Sequence, residues 1–142
     1  IDLNVKYNHL IVVPMASLNK ATLGALNYAR SLTPDVIALN VSPDKEALEK
    51  LKAKWELLNT DILLVAKYSP YRAVISPLLN YIQAIANAAG EKEKITVLLP
   101  EFVTHKWWTQ VLHNHTGLII RETMLRNENV IISTYPFHLK ED

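Results

Sequence analysis

The sequence contains no cysteine and little glycine, and each of these scarcities excludes a class of site. Without cysteine there is no disulfide, no thiolate nucleophile and no Cys-ligated zinc. The three glycines, Gly24, Gly90 and Gly117, lie too far apart to form a glycine-rich phosphate-binding loop. The chain also has no Gly-x-Ser-x-Gly elbow and no recognisable Ser/His/Asp set, so we expect that it is not an enzyme.

An excess of one charge and long hydrophobic runs are missing as well. Lys+Arg number 15 and Asp+Glu 14, for a formal net charge of +1. Charge alone would therefore not hold a nucleic-acid backbone or an anionic membrane, and we expect no nucleic-acid partner. The longest apolar runs, about five or six residues, are too short to span a bilayer, and no signal peptide is recognisable.

The composition that remains is that of one globular domain. The 142 residues are 49% hydrophobic and 20% charged, which provides enough apolar surface for a core. Because the chain begins with Ile1 rather than Met, we interpret it as a piece of a longer protein. We expect a single domain over residues 1–142, in which residues 1–8 are a tether from a missing N-terminal part.

Short β-branched apolar runs alternate with longer segments of helical period. The runs show no in/out alternation, which is typical of strands buried on both faces of a parallel sheet. They are Leu10–Val13, Val36–Leu39, Ile62–Val65, Ile95–Leu99 and Val130–Ile132. This repetition predicts an α/β fold with a doubly wound, five-stranded parallel sheet of order 3-2-1-4-5, a Rossmann-like three-layer sandwich.

Several residues have the character of helix ends. Asp44 is placed as the N-cap of the second helix, and Gly90 follows the third helix as a C-cap would. Pro77 lies inside the third helical pattern. It predicts either a helix that begins there, with Ser76 as N-cap, or a kink.

In the predicted order, the topological switch lies between strands one and four. Ligands of doubly wound sheets bind at the carboxyl ends of the strands beside such a switch. The segments after strands one, four, two and three meet there. The candidate ligand-binding residues in these segments are Met15, Ala16, Ser17, Pro100, Val41, Tyr71 and Arg72.

Two of these segments have alternative interpretations. Around Ser17, Asn19 and Lys20, backbone N–H groups and a lysine could hold a phosphate, or Ser17 or Asn19 is simply an N-cap. Arg72 offers a planar fork that fits a phosphate, and Tyr71 offers a ring on which a base could stack. Alternatively, Arg72 forms a salt bridge to a carboxylate within the domain.

The run His113–Thr116 suggests a metal, but its spacing argues against one. Residues two apart on a helix point about 200° from each other, so His113 and His115 would not share a metal ion. We expect no metal. We expect instead that His115 and Thr116 make polar contacts to a ligand or to the sheet edge.

Several short segments recur in a recognisable order along the chain. They are His9–Pro14, Ala29–Leu32, Ser69–Arg72, Pro77–Leu78, Leu99–Phe102, Trp107–Trp108, Leu112–Thr116 and Tyr135–Leu139. With the five-strand pattern, the chain resembles the universal stress protein fold. It is similar, over nearly its whole length, to the C-terminal cytosolic domains of bacterial amino-acid-permease-like transporters of the APC superfamily. Some transporters of that type are potassium importers.

The resemblance implies a regulatory domain on the cytoplasmic side of the membrane, whose partner is the transmembrane part of the same transporter. Among similar transporters this domain is associated with inhibition by cyclic di-AMP, which implies a possible ligand. ATP-binding universal stress proteins carry an Asp after strand one and Gly-x-x-Gly after strand four. This chain has Met15–Ser17 and Pro100–Val103 there, so we expect no ATP and no resident cofactor.

The fifth strand predicts a homodimer. As an edge strand, Val130–Thr134 is apolar and carries no Lys or Pro to blunt it. Universal stress proteins similarly pair through their last strand. Cover by the chain's own Tyr135–Leu139 is the rival explanation. Two functions therefore stay open: a ligand-sensing regulatory domain, or a ligand-free dimerisation scaffold of the transporter.

Overall fold

The described part of the computed structural model comprises residues 3–70, 75–100 and 127–136, and it alternates strands with helices. Each predicted apolar run lies in a strand, except that Ile62 comes directly before its strand. The elements are β1 (Asn8–Pro14), α1 (Lys20–Leu32), β2 (Val36–Ser42), α2 (Lys45–Leu57), β3 (Leu63–Tyr68), α3 (Ile75–Ala88), β4 (Glu93–Pro100) and β5 (Val130–Tyr135).

The strands form one sheet in the order β3-β2-β1-β4-β5, and every neighbouring pair is parallel. The predicted topology is therefore confirmed. Crossovers run from β1 towards β3 on one side and from β4 to β5 on the other, so the chain reverses direction across the β1/β4 pair. In agreement with right-handed connections, α1 and α2 pack on one face of the sheet and α3 packs on the other.

Two hydrophobic clusters, one on each face of the sheet, form the core. On the first face, Ala25 and Ala29 of α1 and Leu51 and Trp55 of α2 pack on strand residues such as Val13. The indole N–H of Trp55 also donates to the carbonyl oxygen of Ile62 at 3.2 Å, which ties α2 to the start of β3.

On the second face, α3 packs on the alternate residues of the same strands. Leu78, Ile82 and Ala86 of α3 contact a cluster that includes Val12 and Leu99. Val12 and Val13 are both fully buried although they point to opposite faces. Burial on both faces explains why the strands read as continuous apolar runs.

The helix ends show which capping predictions hold. Asn19 is the N-cap of α1 in a reciprocal capping box with Thr22, and the Asp44 carboxylate accepts from the backbone N–H groups of Glu46 and Ala47 at α2. Gly90 follows the end of α3 as predicted, but it lacks the positive φ of a glycine that caps a helix in the left-handed conformation. Asn59, at φ 49°, follows the last turn of α2 in that conformation instead.

Helix α3 begins at Ile75, two residues before Pro77. Pro77 therefore lies in the first turn, where its missing N–H removes no intrahelical hydrogen bond. Of the helices in the described ranges, none combines the length and the hydropathy needed to cross a bilayer.

Candidate ligand-binding site

The candidate site lies at the carboxyl edge of the sheet, where β1 and β4 end side by side. These strands run in register from Asn8 opposite Glu93 to Val12 opposite Val97, so Pro14 and Pro100 reach the same edge. Doubly wound sheets bind ligands in the crevice at such a switch point, and we call the carboxyl edge of β1 and β4 the candidate cleft. The predicted switch point is thus located between β1 and β4.

The loop that joins β1 to α1 lies at this edge of the sheet. Met15 is buried, and its backbone N–H donates to the carbonyl oxygen of Leu39 at 2.9 Å, so it continues the sheet rather than facing the cleft. Ala16 and Ser17 are exposed. Asn19 is the N-cap of α1, so the alternative in which this polar loop caps the helix holds for Asn19.

A residue that sequence reasoning missed holds this loop in place. The side-chain amide Nδ2 of Asn40 donates to the carbonyl oxygens of Met15 and Ala16, at 2.7 and 3.3 Å. Asn40 belongs to β2 and is only 3% exposed. The signal in the sequence was a lone amide inside the apolar stretch Val36–Val41. A buried amide in such a strand requires hydrogen-bond partners, and the loop carbonyls provide them.

Of the other predicted residues, two are buried and four lie outside the described residues. Val41 and Pro100 are buried, and Val41 packs in the cluster under α3, so its side chain does not face the cleft. The structure therefore brings the loop Met15–Ser17 to the same edge as Pro100 but leaves only Ala16 and Ser17 open. The predictions for Tyr71, Arg72, His115 and Thr116 lie outside the described residues.

Three exposed lysines also lie at this edge. The sequence analysis considered only Lys20 and missed Lys45 and Lys67. Lys20 begins α1, Lys45 begins α2 and Lys67 lies near the end of β3. The ammonium of Lys45 stands 4.8 Å from the ring centroid of Tyr68, and that of Lys67 stands 4.6 Å from the ring centroid of Tyr81. These cation–π contacts hold positive charge at the carboxyl ends of β2 and β3.

Burial raises the pKa of the Tyr81 hydroxyl above its ordinary value of 10.0, so this side chain stays neutral at physiological pH. Within residues 3–70, 75–100 and 127–136, no group of three or more His, Asp or Glu side chains is arranged to hold a metal ion.

A separate groove of about 680 Å³ lies at the opposite, amino edge of the sheet. Its lining includes the apolar side chains Leu10, Ile37 and Leu63 and the carboxylates of Asp35 and Glu93. Doubly wound sheets bind their ligands at carboxyl ends, and acidic groups at this groove disfavour an anion. The carboxyl edge, with its lysines and exposed loop, is therefore the better candidate.

Comparison with known proteins identifies the class to which this α/β domain belongs. Residues 7–137 match the family described as the KimA potassium transporter C-terminal domain, and the chain belongs to this family. The potassium transporter KimA of Bacillus subtilis (strain 168) is 32% identical over 133 residues, which cover 93% of this chain and 22% of that transporter. The chain thus spans less than a quarter of the length of the curated relative that it matches.

Proposed function

We propose that this chain is the cytoplasmic regulatory domain of a potassium transporter of the amino-acid-permease-like APC superfamily. The observation that carries the proposal is membership, over residues 7–137, of a family of potassium transporter C-terminal domains. Since the relative is far longer than this chain, the ion path would belong to the remainder of the transporter. That transmembrane part is the partner we propose.

The proposal includes a ligand, a cyclic dinucleotide such as cyclic di-AMP, at the cleft between β1 and β4. The exposed Ala16 and Ser17, the start of α1 and the nearby Lys20, Lys45 and Lys67 support an anionic ligand, because helix N-termini and ammonium groups both favour negative charge.

The same site disfavours ATP, because the residues that directly follow β1 and β4, 15–19 and 101–105, include no glycine to cradle a triphosphate. The sheet order, which universal stress proteins share, supports a likeness to that family without its ATP motif. We propose no catalytic activity.

Titration calorimetry with cyclic di-AMP and with ATP tests the ligand. Arg72→Ala should weaken cyclic di-AMP binding by about 1.5–3 kcal/mol, the usual loss for a hydrogen bond to a charged group. Arg30→Ala is the matched control, because Arg30 pairs with Asp61 at the other end of α1, away from the cleft. Tight binding of ATP, or equal dinucleotide affinity in the wild type and Arg72→Ala, would contradict the proposal.

Potassium uptake by the complete transporter tests the regulatory role. Cyclic di-AMP should change the uptake rate of the wild-type transporter and should have a weaker effect on the Arg72→Ala transporter. If the dinucleotide binds the domain but leaves uptake unchanged, the regulatory part of the proposal is wrong.

We also propose a homodimer through β5, which one observation on this edge strand favours. Ile131 is 44% exposed, whereas Ile132 packs against the cluster under α3. Ile131 is therefore the side chain that a second copy would cover in an antiparallel pairing of the two edges. A domain that dimerises in this way but binds no nucleotide would be the scaffold alternative.

Sedimentation velocity at tens of micromolar tests the dimer. Ile131→Lys should shift the wild-type dimer to a monomer, because a charge would be buried at the pairing edge. Leu57→Lys is the control, since Leu57 is 85% exposed at the end of α2 and away from β5. A monomeric wild type, or a dimer that tolerates Ile131→Lys as well as Leu57→Lys, would refute the pairing.

A further inference from the structure

We infer that Asn40 is a positioning residue for the candidate ligand site, because it orients the peptide groups of the β1–α1 loop. This inference rests on the proposed dinucleotide function. Asn40 does not itself reach the exposed surface, since it is 3% exposed within β2. It acts through the carbonyl oxygens of Met15 and Ala16, which its Nδ2 holds at 2.7 and 3.3 Å.

The geometry of the peptide unit makes this contact directional. In a trans peptide the C=O and the following N–H point in opposite directions. When the Met15 and Ala16 carbonyls both point at Asn40, the N–H groups of Ala16 and Ser17 point away from β2, towards the side of β1 on which β4 lies. Successive N–H groups directed to one side form a concavity that suits an anion.

These two N–H groups are available for a ligand. The hydrogen bonds formed within the described residues include one from the Met15 N–H to Leu39, but none donated by the backbone of Ala16 or Ser17. Both residues are exposed. The Met15 and Ala16 carbonyl oxygens thus accept hydrogen bonds from a buried side chain, whereas the Ala16 and Ser17 N–H groups form none within the described residues.

Only a donor at position 40 can hold two carbonyl oxygens. An aspartate carboxylate has no proton to donate and would repel both oxygens, whereas a protonated aspartic acid regains one donor. Burial raises the pKa of a carboxyl group, so Asn40→Asp should change from repelling to donating as the pH falls. Leucine, the apolar alternative in such a strand, would leave both carbonyl oxygens without this partner.

The test is titration of the wild-type domain and of Asn40→Asp with cyclic di-AMP at two pH values, about 8 and about 5.5. These values are chosen because the raised pKa of a buried carboxyl group would lie between them. The dissociation constant of Asn40→Asp relative to the wild type should rise about tenfold at the higher pH and recover at least in part at the lower pH. Using this ratio cancels any titration of histidines in the domain. Asn27→Asp, an exposed change of the same kind in α1, should leave the ratio near one at both pH values.

A measurement on the wild type protects the test against misfolding of the variant. The backbone amide resonances of Ala16 and Ser17 should shift when cyclic di-AMP is added, and that of the exposed Lys50 in α2 should not. Two results with a wild type that binds would overturn this inference alone. One is equal affinity in Asn40→Asp at both pH values, and the other is no shift of the Ala16 and Ser17 resonances. A wild type that binds no cyclic dinucleotide overturns the proposed function and this inference together.

Discussion

Replacing Gly24 by alanine should destabilise the domain, although glycine is a poor residue for a helix interior. Gly24 lies within α1, where alanine is favoured over glycine by about 1 kcal/mol. A Cβ at this position would lie 3.0 Å from Cε1 and Oη of Tyr135 and 3.3 Å from Cζ. Carbon contacts are most favourable at about 3.5–4.0 Å, so the tyrosine ring would have to move.

The expected size of the effect follows from the opposing terms. Overpacking of this kind costs about 1–3 kcal/mol, and the gain in helix propensity offsets about 1 kcal/mol of that cost. We therefore expect Gly24→Ala to lower the free energy of unfolding by about 1 kcal/mol. Displacement of Tyr135 would also disturb its ring contact with Tyr28, whose centroid is 5.6 Å away.

A double-mutant cycle, with urea unfolding followed by far-UV circular dichroism, separates the two terms. In a Tyr135→Ala background the same Gly24→Ala change should stabilise the domain by up to about 1 kcal/mol, so the effect changes sign. Gly90→Ala is the control, because a Cβ there meets nothing within 4 Å and the φ of Gly90 is not positive. It should leave stability unchanged or slightly raised.

The cycle has a clear refuting result. If Gly24→Ala stabilises the protein equally in the presence and absence of the Tyr135 ring, close packing is not the reason for a glycine in α1. The same conclusion would follow if Gly24→Ala and Gly90→Ala had equal effects on the free energy of unfolding.

Three further predictions concern single side chains. Asp44→Ala should cost about 1 kcal/mol in urea unfolding by removing the N-cap of α2, and no loss would show that the cap contributes little. Trp55→Phe should cost about 1–3 kcal/mol, because the Ile62 carbonyl loses its indole donor; an unchanged unfolding midpoint would contradict this. Burial raises the pKa of the Tyr81 hydroxyl in the folded state, so the folded protein holds that proton more tightly than the unfolded chain. The free energy of unfolding should therefore fall as the pH rises past about 10, and it should fall less steeply in Tyr81→Phe. Urea unfolding at several pH values tests this, and equal slopes in the two proteins would contradict it.

The sequence by itself determined the sheet and its topology. Runs such as Leu10–Val13 and Ile95–Leu99 are apolar without alternation, and a strand of this kind is stable only when both faces are covered. Helical segments between the strands then required parallel pairing, and the handedness of crossovers restricted the order. The N-cap Asp44 was equally readable, because a cap is a contact between residues only two or three apart.

The candidate site was only partly readable. The switch between β1 and β4 follows from topology, so the sequence alone predicts that the loop Met15–Ser17 and Pro100 share one edge of the sheet. Sequence could not tell that Ala16 and Ser17 face outward while Met15, Val41 and Pro100 are buried. Which face of a strand or loop is covered depends on neighbours that are distant in the chain.

Only the tertiary structure decided the contacts between separate elements. Asn40 is a lone polar residue in its strand until β1 brings the Met15 carbonyl to its amide, and Gly24 is an unfavourable helix residue until β5 brings the ring of Tyr135 against it. The same holds for Ile131, whose exposure depends on which face of β5 is covered. Local patterns report what each segment prefers, but a hydrogen bond or a close contact between segments exists only after packing has set the distance between them.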